Sequence, residues 1–320
     1  MVRLFHIVVS FSLCLSTIAQ FSPPAGQEGT TAIHKDSSVF IDWATSCNVE
    51  RGYLDISVPD SGMVSAGEAV FAIGIADNLI VSLGDNGSAV LTFNKSIQNG
   101  PGPDFAVFEN SFTDDFLELA IVEVSSNGID FVRFPSVSLT QTEQQIGSFG
   151  LLDATKIHNL AGKYRVEYGT PFDLEELNNI SGLNIDSITH VKIIDVVGCI
   201  QDEYSTYDSQ GNKVNDPWPT LFPSGGFDLD AVGVIHNLFN QGIVEYKNSD
   251  FKVFPNPVVN RLTFESNEKY HIELLAIGGQ VLFKGEISKG VINMRNCPQG
   301  IYFMKISNSK RNYTRKIIKL

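Results

Sequence analysis

Six histidines, His6, His34, His158, His190, His236 and His271, are scattered through the chain, and none stands at the spacing of a His-Glu-x-x-His metal helix. A Gly-x-Ser-x-Gly nucleophile elbow, a Gly-x-Gly-x-x-Gly turn and a P-loop are all missing from the sequence. Glu118 and Glu123 lie in one apolar alternation, but their odd spacing puts them on opposite faces of a strand. They make a poor glycosidase pair, although carboxylates distant in sequence could still converge. These residues point away from catalysis, and no catalytic group is assigned.

Acidic, Asn-rich turns offer different chemistry. Four stand out: Asp85-Asn86-Gly87, Asp104 to Glu109-Asn110, Asp202 through Asp208 and Asn212 to Asp216, and Asp228-Leu229-Asp230. Hard cations such as calcium take six to eight oxygens, which acidic loops with free carbonyls supply. In Asp208-x-Gln210-x-Asn212-x-x-x-Asp216, oxygen side chains recur at alternate positions, although the glycine is misplaced for an EF-hand. The same residues also favour turns for backbone reasons. A structural calcium on the rim is the expectation, with Asp104, Glu109, Asp208, Asn212, Asp216, Asp228 and Asp230 as candidate ligands. Asp228 and Asp230 are expected on one face of a final strand, with Phe227, Leu229 and Ala231 on the other.

For an organic ligand the candidates are Trp218, Tyr204 and Tyr207. Trp218 sits among Pro217, Pro219 and Pro223, which would hold the loop extended and keep the ring on display. Aromatic faces beside Asp and Asn suit a glycan, whose apolar ring faces stack while its hydroxyls bond. Packing under the loop is the alternative.

The elements that must position these groups are strands. Ala69–Ile75, Leu79–Leu83, Ala89–Phe93, Phe105–Phe108, Leu117–Val124, Phe131–Phe134, His190–Val197 and Leu229–Ile235 are short, β-branched or aromatic, and bounded by turn residues. Asn127-Gly128 predicts a type I′ hairpin between two of them. The best helical pattern is Thr170–Leu177, with Pro171 near its start and Asp173, Glu175 and Glu176 in the first turn. The fold class expected is all-β: a jelly-roll or β-sandwich body over residues 20–246, then a second, small β-sandwich.

A change in charge separates the two. Residues 251–320 carry 12 Lys and Arg against 4 Asp and Glu, within a chain whose net charge is −13. That acidic balance argues against nucleic acid as a partner. Residues 1–19 have a short basic start, an apolar run too short to span a bilayer and small residues up to Ala19, which reads as an export signal. The mature cysteines Cys47, Cys199 and Cys297 fit no zinc spacing. Export leaves a Cys47–Cys199 disulfide and two buried thiols as open alternatives.

Three ordered boxes mark the C-terminal stretch: Phe254-Pro255-Asn256-Pro257, Gly278-Gly279-Gln280-Val281, and Gly300-Ile301-Tyr302-Phe303 with Lys316-Ile317-Ile318-Lys319. Here residues 251–320 resemble the type A C-terminal sorting domain of the type IX secretion system of Bacteroidetes. The resemblance implies a small β-sandwich that the secretion machinery reads and its sorting peptidase removes. It also implies a protein secreted or held on the outer cell surface. The linker 247–250, with Asn248-Ser249-Asp250, is the expected cut region.

Four stretches of the body are similar to a family of secreted Bacteroidetes surface proteins associated with corrinoid-uptake genes. They are Gly102–Asn110, Ala161-Gly162-Lys163, Gly169–Leu174 and Gly225–Val234. The resemblance implies capture of a corrinoid beside an outer-membrane receptor. The expectation from the residues is a non-enzymatic binding module for a glycan or another small extracellular molecule. A hydrolase with unrecognised carboxylates is the third reading.

Overall fold

The computed structural model describes residues 21–238, 251–276, 278–308 and 312–320. The expected signal at 1–19 and linker at 247–250 lie outside the described residues. The chain divides into two compact units, Met1–Asn240 and Gln241–Leu320. No helix among the described residues is long and apolar enough to cross a membrane.

In the body the strands run in chain order β1 (Ile33–His34), β2 (Asp42–Trp43), β3 (Ser46–Glu50), β4 (Val81–Ser82), β5 (Ser88–Ile97), β6 (Phe105–Glu109) and β7 (Ala120–Ser125). There follow β8 (Val132–Arg133), β9 (Val137–Ser138), β10 (Ile157–His158), β11 (Tyr168–Phe172), β12 (Ile188–Asp195) and β13 (Asp228–Val234). One sheet has the order β1-β11-β6-β13-β2, with β4 also on β13; the other has the order β3-β5-β12-β7-β8. Their ladders are antiparallel. Phe105, Val107, Phe172, Val232 and Val234 from the first meet Leu91, Val122, Val124, Val191 and Ile193 from the second in one buried cluster. Burial of such side chains stabilises by about 1.5–3 kcal/mol each. The body is a β-sandwich.

Strand β6 is buried along its whole length, because its outer face is covered too. Ala106, Phe108 and Ala231 pack there against Phe40 and Trp43.

Several local expectations are corrected. Ala69–Ala72 is a single 3-10 turn rather than part of a strand. Thr170–Leu177 is not a helix: Thr170, Pro171 and Phe172 pair with Val107, Ala106 and Phe105, and only Leu174–Leu177 turns as 3-10. The acidic start still does the job of a cap, since Asp173 accepts from the Glu175 N–H. Pro171 is tolerated because the β1 ladder on its other side stops at Gly169 and Tyr168.

The hairpin at Asn127-Gly128 exists, but its ladder ends at Val124 opposite Val132, so the loop is longer than two residues. Positive φ occurs at Gly128 and not at Asn127. Side chains organise the loop instead. Ser125 Oγ accepts from the N–H groups of Asn127 and Gly128, and Asn127 Oδ1 from those of Ile129 and Asp130.

The second unit comprises β14 (Phe251–Phe254), β15 (Arg261–Ala276), β16 (Val281–Asn293), β17 (Gly300–Ser307) and β18 (Asn312–Lys319). The order is β14-β15-β17-β18, with β16 paired to β15. Tyr302, Met304 and Ile306 alternate inward from β17 and share a core with Phe251, Leu262, Phe264, Ile272 and Ile317. Gly279, at φ 83°, turns β15 into β16.

The opening box of this unit holds its closing box. Asn256 Oδ1 accepts from the Ile318 N–H at 2.9 Å, and its Nδ2 donates to the Lys316 carbonyl at 2.8 Å. The Val258 N–H donates to the Ile318 carbonyl, and the Leu320 N–H returns to the Val258 carbonyl.

Candidate functional site

A β-bulge decides where the acidic residues of β13 go. Leu229 pairs with Glu109 and Ala231 with Phe108, so Asp230 is an extra residue in the ladder. The bulge resets the alternation: Leu229 enters the main core and Ala231 the outer cluster. The expectation that Asp228 and Asp230 share one face, opposite Leu229 and Ala231, therefore fails. Asp230 accepts from the N–H groups of Asp77 and Asn78, whereas Asp228 accepts from Ser82 Oγ and faces a pocket.

That pocket, of about 200 Å3, lies between the end of β6, the loop leading to β7, two further loops and the start of β13. Glu109, Glu118 and Asp228 line it together with Ser111, Ser148, Thr220 and Ser224. Four phenylalanines form its rim: Phe112, Phe116, Phe149 and Phe222. Phe112 is 78% exposed and Phe149 74%, although they are large apolar groups. Phe149 stacks with Phe116 at 6.4 Å between centroids and tilts against Phe222 at 5.6 Å. Contiguous exposed apolar patches beside polar residues mark interaction sites and ligand-binding grooves.

The floor is electrostatically tense. Burial raises the Glu109 carboxyl well above its usual range, and neighbouring Asp228 raises it further. Burial raises Glu118 as well, followed by Glu109 and Asp228. Asp228 is pushed up to about 7 by burial, against the pull of its Ser82 hydrogen bond and of Arg51. Glu109 Oε2 accepts from the Ser111 N–H at 2.8 Å. The Glu118 carboxylate has no hydrogen-bond or ion-pair partner among the described residues.

Behind this floor further carboxylates staple the body's loops. Asp195 accepts from Phe227 and Asn86, Asp216 from Leu119, and Asp85 from Ile56. Burial raises all three, Asp85 to about 6.

The expected calcium ligands are dispersed. Among the described residues no three His, Cys, Asp or Glu side chains form a group able to hold a metal ion. Asp208 accepts from the Gln210 and Asn212 N–H groups and the Asn212 side chain of its own loop, and from the Ser138 N–H of β9, so its oxygens are taken up by the fold. Asn212 is thus a donor to Asp208. Asp104 accepts from Gly100, Leu174 and His236, tying three segments together. Asp216 serves Leu119 on another segment. The alternate oxygens of these turns satisfy backbone donors, the competing role of Asp and Asn.

Trp218 is not on display. It is 7% exposed, packs with Val197 and Cys199, and donates its indole N–H to Asp85 at 2.9 Å. Tyr204 is half-buried against the same cluster, and Tyr207 is exposed beyond it. None of the three lines the carboxylate pocket. Cys47 packs against the main core and Cys199 in the Trp218 cluster, and both thiols are free.

Two of the expected ligands, Glu109 and Asp228, do come together, but with Glu118 and the phenylalanines. Only the pairing of β6 with β13 brings these positions within reach, and no local spacing signals it. A second cavity of about 570 Å3 opens where the N-terminal segment, β1, β10 and β11 meet.

Comparison with known proteins identifies the second unit. Residues 252–320 match the family described as the secretion system C-terminal sorting domain. This segment is a type IX secretion sorting domain, so the protein is exported to the cell surface or released, with the tail removed. No curated protein matches the chain. Among solved structures, β-glucuronidase from Ruminococcus gnavus in complex with D-glucaro 1,5-lactone shares 11% identity at a TM-score of 0.20. The match covers 86% of this chain and 45% of that one. The BSP domain of a biofilm associated protein shares 10% identity at a TM-score of 0.19, covering 87% of this chain and 52% of that one. The chain spans about half the length of these proteins. Likeness this slight assigns no function.

Proposed function

We propose that the sandwich is a non-enzymatic binding module, carried outside the cell by its sorting domain, and that it takes a small polyhydroxylated ligand, a glycan, in the carboxylate pocket. One observation carries this reading: Glu109, Glu118 and Asp228 converge under a rim of exposed phenylalanines. Sugars present apolar ring faces and hydroxyl edges at once, and such a pocket meets both. Carboxyls whose affinity for protons is raised serve as donors when protonated and as acceptors when not. Hydroxyls of Ser111, Ser148, Thr220 and Ser224 widen the choice of partners.

Titration of the purified secreted protein with a glycan library by calorimetry tests this. Glu118→Gln and Phe149→Ala should each weaken a hit at least fivefold. Glycan binding that survives both substitutions, or no binding by the native protein, refutes the proposal. Titration with cobalamin belongs in the same series, because a corrinoid is the other small-nutrient reading of the body.

The raised carboxyls also favour a second reading, a hydrolase, because a proton held near neutral pH is what a general acid needs. Steady turnover of chromogenic glycosides, lost in Glu118→Gln, would replace the binding module with an enzyme.

A further inference from the structure

The larger cavity is distinct from the carboxylate pocket, and its walls combine an unsatisfied cation with apolar surface. Lys163 is only 4% exposed, yet no carboxylate lies within ion-pair distance of it among the described residues. Its Nζ donates to Ser22 Oγ at 3.0 Å and to the Ile157 carbonyl at 2.8 Å, which uses two of three protons. The ring of Tyr164 lies 5.5 Å from it. Burial lowers the Lys163 ammonium to about 8, against the weaker pull of the Asp153 carboxylate, which lies beyond ion-pair distance.

Thr170 is the second unsatisfied group. It is 3% exposed, its Oγ1 has no hydrogen-bond partner, and it lines the same cavity. A buried hydroxyl without a partner destabilises the fold, and so does a buried charge without an ion pair. Two such groups on one cavity wall are what a pre-formed site looks like before its ligand arrives.

The rest of the wall says what else the ligand carries. Ile33, Pro103 and Pro171 are apolar, and Phe21 stacks on His158 at 4.9 Å. Burial lowers the His158 imidazole, and Lys163 lowers it further, so that ring adds no second cation at neutral pH. Asp173 and Glu176 also face the cavity; the first caps Glu175 and the second accepts from the Asn159 amide. Any additional negative charge on the ligand would meet these two. The volume falls within the range of small-molecule sites, about 300–1,000 Å3.

We propose that this cavity binds a small organic monoanion, a carboxylate on an apolar body. One oxygen takes the third proton of Lys163, and an oxygen of the same group accepts from Thr170.

Calorimetric titration of the secreted protein with octanoate, octan-1-ol and octylamine tests it. Octanoate should bind at least tenfold more tightly than octan-1-ol, and octylamine should be weaker than both. Lys163→Met should remove the preference for octanoate while leaving octan-1-ol binding unchanged. Thr170→Val, which keeps the side chain's shape, should weaken octanoate at least threefold without lowering the melting temperature. That variant decides the matter if Lys163→Met does not fold. Octanoate that binds no better than octan-1-ol, or equally well to the native protein and Thr170→Val, overturns the proposal. The carboxylate pocket plays no part in these outcomes, and Glu118→Gln should leave octanoate binding unchanged.

Discussion

Asp228 is held where burial and charge oppose each other. Unfolded, its carboxyl gives up its proton near pH 4, but in the folded body it keeps the proton to about pH 7. Between those values the folded chain binds more protons than the unfolded chain, so stability falls as pH rises. Each tenfold gain in proton affinity is worth about 1.4 kcal/mol, so Asp228 alone accounts for a loss on the order of 3–4 kcal/mol from pH 4 to pH 8. Asp85 and Asp230, both raised to about 6, act in the same direction. Thermal melts of the body should therefore show a higher Tm at pH 5 than at pH 8. Asp228→Asn, which cannot ionise, should flatten that slope. A Tm that rises from pH 5 to pH 8 would contradict the raised carboxyls. Asp208 has a structural role, with its oxygens taken by its own loop and by the Ser138 N–H of β9. Asp208→Ala removes four hydrogen bonds, each worth about 1 kcal/mol, and should lower stability by about 2–4 kcal/mol. The drop should be equal with and without EDTA. A native Tm that rises with calcium and loses that response in Asp208→Ala would restore the ion.

At the scale of elements, what the sequence could tell depends on whether a signal is local. Alternation in β17, with Tyr302, Met304 and Ile306 inward, is visible as written, and so are the turns at Gly128 and Gly279. The bulge at Asp230 is not, because it arises from how β13 registers against β6, and it moves every later side chain to the other face. Trp218 misleads for a related reason. Flanking prolines suggest display, but the ring packs with Val197, Cys199 and Ile56, and the acceptor of its N–H, Asp85, lies far away in the chain. Glu118 is legible in the sequence only as half of a poor pair with Glu123, because its real partners are distant and it precedes β7 in a segment placed by Gly162. With φ 79°, Gly162 brings its Cα so close to the Glu118 carbonyl that a Cβ would stand 1.8 Å from that oxygen. Gly162→Ala should lower the Tm of the body by several degrees and abolish binding in the carboxylate pocket. Preserved binding in a stable Gly162→Ala protein would show that this approach does not position Glu118.

On the scale of the whole molecule, the two units have separate cores, one around Phe105 and Val191, the other around Phe264 and Met304. Deleting residues 251–320 should leave the body's melting transition in place while abolishing export; immunoblots of periplasm and culture fluid distinguish the compartments. Loss of the body's transition would mean that the cores are not independent. The hold of Asn256 on Ile318 and Lys316 joins the beginning of the sorting domain to its end. Asn256→Ala should weaken that domain by about 1–2 kcal/mol and reduce the exported fraction. The same hold makes the address self-auditing. A polypeptide broken off anywhere between Asn256 and Ile318, by a stalled ribosome or a stray protease, lacks part or all of the strand that closes the fold. Such fragments should display no finished label, and immunoblots of culture fluid should then find no exported chain that ends before Ile318.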